Sequence, residues 1–298
     1  MRDLAPIALF CFNRPSHLKK TITNLRKNFL SKYSKIYIFS DAAKKKDDLE
    51  KVNKVRNLIT NLDGFKKKIV ILRKKNYGLA KNIVNGVDYV LKREKKIIVL
   101  EDDLVTSKFF LKYMNTYLRY YEKNKKIVSI HGYIYPINKK NLEPNFFIRG
   151  ADCWGWGTWR DSWKIYEKNT KKLLEKIKNT NQIKEFNFNN TKNYYKMLKK
   201  NLYIHKKSWA VQWYASAFLK NMLTLYPKHT YIKNIGLDGS GTNTRLKYYL
   251  NSKFNRNFKI SKIKNIKESA LAKKKFETYF KENEKNIFEK IYTKLMYG

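Results

Sequence analysis

The sequence is poor in acid: its 298 residues carry 24 Asp and Glu against 66 Lys and Arg, a formal net charge of +42 at pH 7. It is also poor in cysteine, with only Cys11 and Cys153. Two thiols cannot staple a chain this long, and both sit in apolar or aromatic surroundings, so both are expected to stay reduced in the cytosol. Five Pro and 11 Gly exclude collagen-like and linker-dominated chains. Long apolar runs are missing as well; the longest, such as residues 5–12, fall far short of the roughly 20 residues that a membrane span needs. That run follows Met1-Arg2-Asp3 and so faintly resembles a secretory leader. The acidic residue ahead of it and the poor cleavage site at Asn13-Arg14-Pro15 favour a buried first strand instead. No Gly-x-Gly-x-x-Gly follows this run and no Gly-x-x-x-x-Gly-Lys-Ser/Thr occurs, which argues against a dinucleotide fingerprint and a P-loop. His17, His131, His205 and His229 stand alone, without zinc spacing or a nucleophile partner.

The hydrophobic share is 43%, enough to bury a real core. The positive charge attracts polyanions in general. Lys, however, is spread along the whole chain, so the charge reads first as a solvated basic surface, second as a face for an anionic membrane, and last as a nucleic-acid patch.

Strand and helix patterns alternate over the first 130 residues. Apolar runs at 5–12, Ile36–Phe39, Lys68–Leu72, Ile97–Leu100 and Ile127–Ile130 read as buried strands. Helical stripes fall between them: Leu18, Ile22 and Leu25 behind a Ser16 N-cap, Leu49 to Leu62, Asn76 to Leu91, and Ser107 to Asn124. This pattern predicts an α/β fold with a mostly parallel sheet flanked by helices, whose ligands bind at the carboxyl ends of the strands. The residues at those ends are Asn13-Arg14, Asp41, Arg73 to Asn76, and Glu101-Asp102-Asp103.

After residue 131 the alternation stops. Residues 149–163 hold four tryptophans: Trp154, Trp156, Trp159 and Trp163. Residues 164–207 read as a Lys- and Asn-rich surface insertion. A helix over 208–219 carries Trp209, and a strand pair is expected around Pro227. Residues 236–244 form a Gly-, Ser- and Thr-rich loop. From Leu246 the chain is very basic, ending in a helix with Phe276, Phe280, Ile287, Ile291 and Leu295 along one face.

Three segments carry chemistry. The acidic trio Glu101-Asp102-Asp103 ends a buried strand, and hard divalent cations favour carboxylate oxygens; the plainer alternative is a helix cap or a partner for surface Lys. Asn76-Tyr77-Gly78, leading to Asn82, offers a helix start where backbone can approach phosphate; an ordinary turn glycine is as good an account. Trp154, Trp156, Trp159 and their intervening glycines suit either stacking on sugar rings or a buried core.

Together these residues resemble the nucleotide-sugar-binding half of glycosyltransferases with the GT-A fold. Cys11-Phe12-Asn13-Arg14-Pro15 looks like the first-strand motif, Ser40-Asp41 like the base-binding Asp, and Asn76-x-Gly78 through Asn82 like the central donor motif. Glu101-Asp102-Asp103, with Leu104 and Phe109-Phe110, is similar to the acidic metal motif of N-acetylglucosaminyltransferase I. The segments Trp154 to Trp159, Ser208 to Trp213, and Asn234 to Thr244 resemble bacterial sugar transferases of surface-polysaccharide synthesis.

The resemblance implies a GT-A domain over residues 1–245, with a donor half at 1–131, an acceptor half at 132–245, and a basic helical extension at 246–298. It implies Asp103 as ligand to Mn2+ or Mg2+, with Asn243 where relatives often have His. Glu101 and Asp102 would hold the ribose side, while Asn13, Arg14 and Asp41 would face the base. Asn76, Gly78 and Asn82 would lie near the donor, and Trp154, Trp156, Trp159 and Trp209 near the sugar or acceptor. Where relatives place a general base after the Trp of the 209–213 segment, this chain has Ala210, Val211 and Gln212. Asp238 is the first substitute and Asp152 the second. The implied function is transfer from a UDP-linked donor to a glycan or lipid-linked acceptor, in the cytoplasm or peripherally on the anionic inner leaflet, without nucleic acid. The alternatives are a non-enzymatic polyanion binder and an inactive domain that only binds nucleotide.

Overall fold

The computed structural model describes residues 4–203, 207–238, 254–255 and 257–282. Ten strands and nine helices have defined bounds among them. The first half runs β1 (Ile7–Cys11), α1 (Pro15–Arg26), β2 (Lys35–Ser40), α2 (Leu49–Thr60), β3 (Lys67–Leu72), α3 (Leu79–Leu91), β4 (Lys96–Glu101), β5 (Leu104–Thr106), α4 (Phe110–Tyr120) and β6 (Ile127–His131). The second half adds β7 (Asn145–Arg149), β8 (Trp156–Trp159), α5 (Arg160–Trp163), α6 (Thr170–Asn179), α7 (Ile183–Phe186), α8 (Tyr194–Lys200), α9 (Trp209–Leu219), β9 (Leu223–Pro227) and β10 (Ile232–Asn234).

Eight strands form one sheet in the order β3-β2-β1-β4-β8-β6-β9-β7. The first four run parallel, β8 enters antiparallel between β4 and β6, and β7 is antiparallel to β9. Strands β1, β2 and β4 of the parallel half are almost continuously apolar because both of their faces are covered, while the edge strand β3 is only half-buried. Ile7, Leu9 and Cys11 of β1 face one hydrophobic layer while Ala8 and Phe10 face the other. Each such buried aliphatic or aromatic side chain contributes about 1.5–3 kcal/mol.

The α/β expectation stands, with local differences. Helix α1 begins at Pro15, not behind a Ser16 cap, because proline's fixed φ and missing N–H suit a first helical position. The 76–91 helix begins only at Leu79, since Gly78 adopts φ +71° and breaks the turn ahead of it. The two strands around Pro227 do not pair with each other: β9 lies in the large sheet, and β10 pairs with β5.

The tryptophan-rich segment is the largest correction. Trp156 to Trp159 form β8, and period-two alternation sends Trp156 to one layer and Trp159 to the other. Trp156 is fully buried, its ring 5.7–5.8 Å from those of Trp163, Trp209 and Trp213. Trp159 donates its indole N–H to the Leu118 carbonyl. The sugar contact expected of Trp156, Trp159 and Trp209 therefore gives way to core packing, and of the four only Trp154 keeps part of its surface exposed.

Residues 164–207 are likewise more than surface. Leu173, Leu174, Ile177, Phe186 and Leu198 pack a second-half core against α9. Helical residues 270–282 complete it with Ala272, Phe276 and Phe280, all buried. The described part of the tail's apolar stripe is thus spent inside the fold.

Candidate nucleotide-sugar site

The carboxyl ends of β1, β2 and β4 converge at one edge of the sheet. There β1 delivers Asn13 and Arg14, β2 delivers Asp41, and β4 delivers the acidic trio. The Arg14 guanidinium bridges Asp102 Oδ1 at 2.5 Å and Asp103 Oδ2 at 2.7 Å. Burial alone would make Arg14 easier to deprotonate, but Asp102 and Asp103 more than offset it and the guanidinium stays charged. Asp102 is buried, and its carboxylate also accepts the Phe12 N–H. Its expected place on the nucleotide side is corrected to an inward one, tying β1 to β4. Burial first, and Asp103 second, push Asp102 up to about 6 against the pull of Arg14. Burial and the flanking Asp103 and Asp102 push Glu101 up to about 8. Asp103 and Glu101 remain partly exposed at the edge.

Strand β5 follows the trio at once and pairs with β10, which brings residues 235 and 236 onto Asp103. The Ile235 N–H donates to the Asp103 carbonyl at 2.9 Å. A Cβ on Gly236 would stand 2.1 Å from Asp103 Oδ2 and 2.9 Å from an Arg14 nitrogen.

Asp41 has a different task from the one expected. Its carboxylate accepts the N–H groups of Ala42, Tyr77 and Gly78, and Asn76 donates to the Ala42 carbonyl. Asp41 therefore clamps the turn before α3. A Cβ at Gly78 would meet nothing within 4 Å, so this helix start opens onto free space. Asn82 is buried and accepts from Arg73 Nε. The Arg73 guanidinium lies over Tyr77 and Phe39, and its Nη2 is buried without a hydrogen-bond partner. Arg73, at the end of β3, is the residue here to which the sequence pattern assigns no task, and it keeps an N–H without a partner. Asn13 donates to Asp48.

The two candidate bases lie apart. Asp238 is half-exposed and meets His17 Nε2 at 3.0 Å. Asp152 accepts Tyr135 and Tyr226 hydroxyls at 3.0 and 3.1 Å, and the Cys153 N–H at 2.7 Å. His131 Nε2 lies 3.9 Å from Asp152 but accepts the Trp154 N–H, and burial lowers its pKa. That ring is neutral, so the contact is not an ion pair. Asn243 lies outside the described residues.

Among the described residues no three His, Cys, Asp or Glu side chains cluster as a metal cage. The donor set fits a different mode, in which a hard cation is shared between one or two carboxylates and the phosphates of a substrate. Asp103 is the partly exposed carboxylate of the trio beside Arg14, whereas burial raises Glu101 and Asp102 and favours their neutral forms.

The family model described as "Glycosyl transferase family 2" matches residues 7–198, well over half of the chain. The chain belongs to glycosyl transferase family 2. Its sheet, with a parallel half bearing the acidic trio, is the GT-A arrangement. No curated protein matches the chain. Among solved structures, it is similar to the mannosyltransferase PcManGT from Pyrobaculum calidifontis in complex with GDP-Man and Mn2+, at 9% identity and TM-score 0.33, covering 47% of this chain and 39% of that one. S. aureus TarS 1-349 in complex with UDP-GlcNAc gives 11% identity and TM-score 0.33, over 46% and 37%. A second structure of S. aureus TarS 1-349 gives 11% identity and TM-score 0.42, over 78% and 61%. The chain thus spans less than two thirds of the length of each. No helix among the described residues is long and apolar enough to cross a membrane.

Proposed function

We propose that this family 2 chain transfers a sugar from a nucleoside-diphosphate donor, UDP-linked, to a glycan or lipid-linked acceptor in bacterial surface-glycan assembly. The observation that carries the reading is Asp103, partly exposed at the sheet's carboxyl edge beside Arg14 and under Gly236. Asp103 would hold Mn2+ or Mg2+, which when bound neutralises a departing diphosphate. Arg73, with its unpaired Nη2, and the open helix start at Gly78 supply N–H donors for the donor's anionic part. An acceptor hydroxyl attacks the anomeric carbon as its bond to the diphosphate oxygen breaks. In an inverting transfer a carboxylate takes the hydroxyl proton. Asp238, hydrogen-bonded to His17, is the first candidate, and Asp152 the second.

The basic surface supports docking on an anionic inner leaflet. Since Phe276 and Phe280 are buried, charge rather than the described tail would carry that contact. The test is a thermal-shift screen of UDP- and GDP-sugars with and without Mn2+. Stabilisation should need donor and metal together and should fade in Asp103→Ala. Equal shifts in wild type and variant would remove the reading.

A further inference from the structure

A cavity of roughly 210 Å³ opens in the second half of the fold, between the 151–154 segment, α8, α9 and the helix at 270–282. Its walls are aromatic: Tyr135, Trp154 and Tyr194 are partly exposed, Phe188, Phe276 and Phe280 stand buried behind them, and Asp152 supplies a carboxylate. Three features define what it can take. First, Asp152 carries no cation. Its near neighbour His131 is neutral, and the one Arg on the wall, Arg149, bonds Glu185, Gln182 and the Phe218 carbonyl. Among the described residues no Lys or Arg side chain pairs with this carboxylate. Second, Asp152 Oδ2 accepts two phenols and Oδ1 accepts the Cys153 N–H, with the Cys153 thiol hydrogen-bonded to the same carboxylate, and a carboxylate has about four acceptor positions that a sugar hydroxyl can share. Third, the cavity adjoins the donor edge. β8 pairs antiparallel with β4 up to Val99 and Trp156, and a Cβ on the preceding Gly155 would lie 3.5 Å from Leu100, the neighbour of Glu101.

We propose that this cavity is the acceptor subsite and that it selects an uncharged pyranose. The ring's C–H face lies on the aromatic wall, one hydroxyl donates to Asp152, and the chain's terminal sugar is presented towards Glu101 and Asp103. Aromatic rings lined up with a single carboxylate complement a neutral sugar, whereas a uronate or a phosphate would face Asp152 with like charge. A lipid tail would offer no hydrogen-bond donor to that carboxylate and would shut it away from water without a cation partner. The anionic part of a lipid-linked acceptor therefore stays outside, with the basic surface. The inference rests on the transferase reading for the word acceptor; the pocket's selectivity can be tested without it.

Saturation-transfer NMR on the full chain, with methyl glycosides of glucose, galactose and N-acetylglucosamine against methyl glucuronide, is the test. Neutral glycosides should receive saturation from aromatic protons, and the glucuronide should not. Asp152→Asn should let the glucuronide bind and so lose the discrimination. Met197 is exposed at the mouth, so Met197→Trp should abolish transfer without touching the core, and Phe276→Leu should weaken it. Absence of transfer from every neutral glycoside, equal binding of the glucuronide to wild type, or persistence in Met197→Trp would overturn the proposal. The same samples titrated with UDP and Mn2+ separate the two readings. Loss of nucleotide binding with sugar binding intact removes the transferase reading alone, and the reverse removes the subsite alone.

Discussion

Gly236 approaches Asp103 so closely that a β-carbon there would sit 2.1 Å from the carboxylate. The approach follows from the β5–β10 pair, which fixes residues 235 and 236 over the trio. In Gly236→Ala the carboxylate must rotate, because it is the freer of the two groups, and it leaves Arg14 as it does so. Donor binding in the presence of Mn2+ should weaken by about tenfold, or ~1.4 kcal/mol, while the melting temperature without ligand moves little. Calorimetric titration of a UDP-sugar into both proteins checks this. A wild-type affinity in the variant would mean that the Asp103 position is irrelevant to the donor.

Removing the carboxylate itself is the harsher experiment. Asp103→Ala should lower turnover by roughly 10²-fold or more, the scale on which a single electrostatic contact to a developing charge is felt. Arg14 then keeps Asp102 as its partner, so the fold should survive. Turnover of the variant at wild-type rate over a series of Mn2+ concentrations would contradict the role of Asp103.

The parallel half was legible because each of its buried strands is an unbroken apolar run and each helix a 3.6-period stripe. The acidic trio was legible for the same reason: polar residues that terminate such a strand mark the ligand edge. Trp156, Trp159 and Trp209 were not separable from ligand contacts in the sequence, since an aromatic run suits a sugar wall and a core equally; only β8's position between β4 and β6 decides. Asp41 was legible as a site residue but not in its task, because its partners Tyr77 and Gly78 lie 36 and 37 residues away. The clasp of Asp152 by Tyr135 and Tyr226 joins residues 17 and 74 apart, and His17 meets Asp238 across 221. No local periodicity encodes such pairs.

The Asp41 carboxylate accepts three backbone N–H groups, those of Ala42, Tyr77 and Gly78. Asp41→Ala frees all three at a half-buried turn, where leaving a donor unpaired costs about 1–3 kcal/mol each and water can recover part of it. The net loss should be about 2 kcal/mol, read by urea unfolding. Donor affinity should fall as well, because the helix start at Gly78 loses its clamp. Asp41→Asn should recover only part of both, since one amide oxygen cannot replace two acceptors. A variant with unchanged stability and weaker donor binding would instead place Asp41 against the base.

His131 gives the pH dependence its sign. It is fully buried, its Nε2 accepts the Trp154 N–H, and burial lowers its pKa below the ordinary 6.5. The unfolded chain therefore binds a proton at this residue at a higher pH than the folded chain does. Stability from neutral His131 is complete above about pH 6.5 and is lost as pH falls towards the depressed folded value. The loss can proceed at up to about 1.4 kcal/mol per pH unit. His131→Gln keeps an acceptor of similar reach and cannot titrate. It should be less stable than wild type at pH 7.5, with the gap narrowing steadily between pH 6.5 and 5. Urea unfolding of both proteins across that range measures the gap directly. A constant difference would mean that the fold does not shift this imidazole, and a gap that widens as pH falls from 7.5 would mean that its 3.9 Å approach to Asp152 is an ion pair after all.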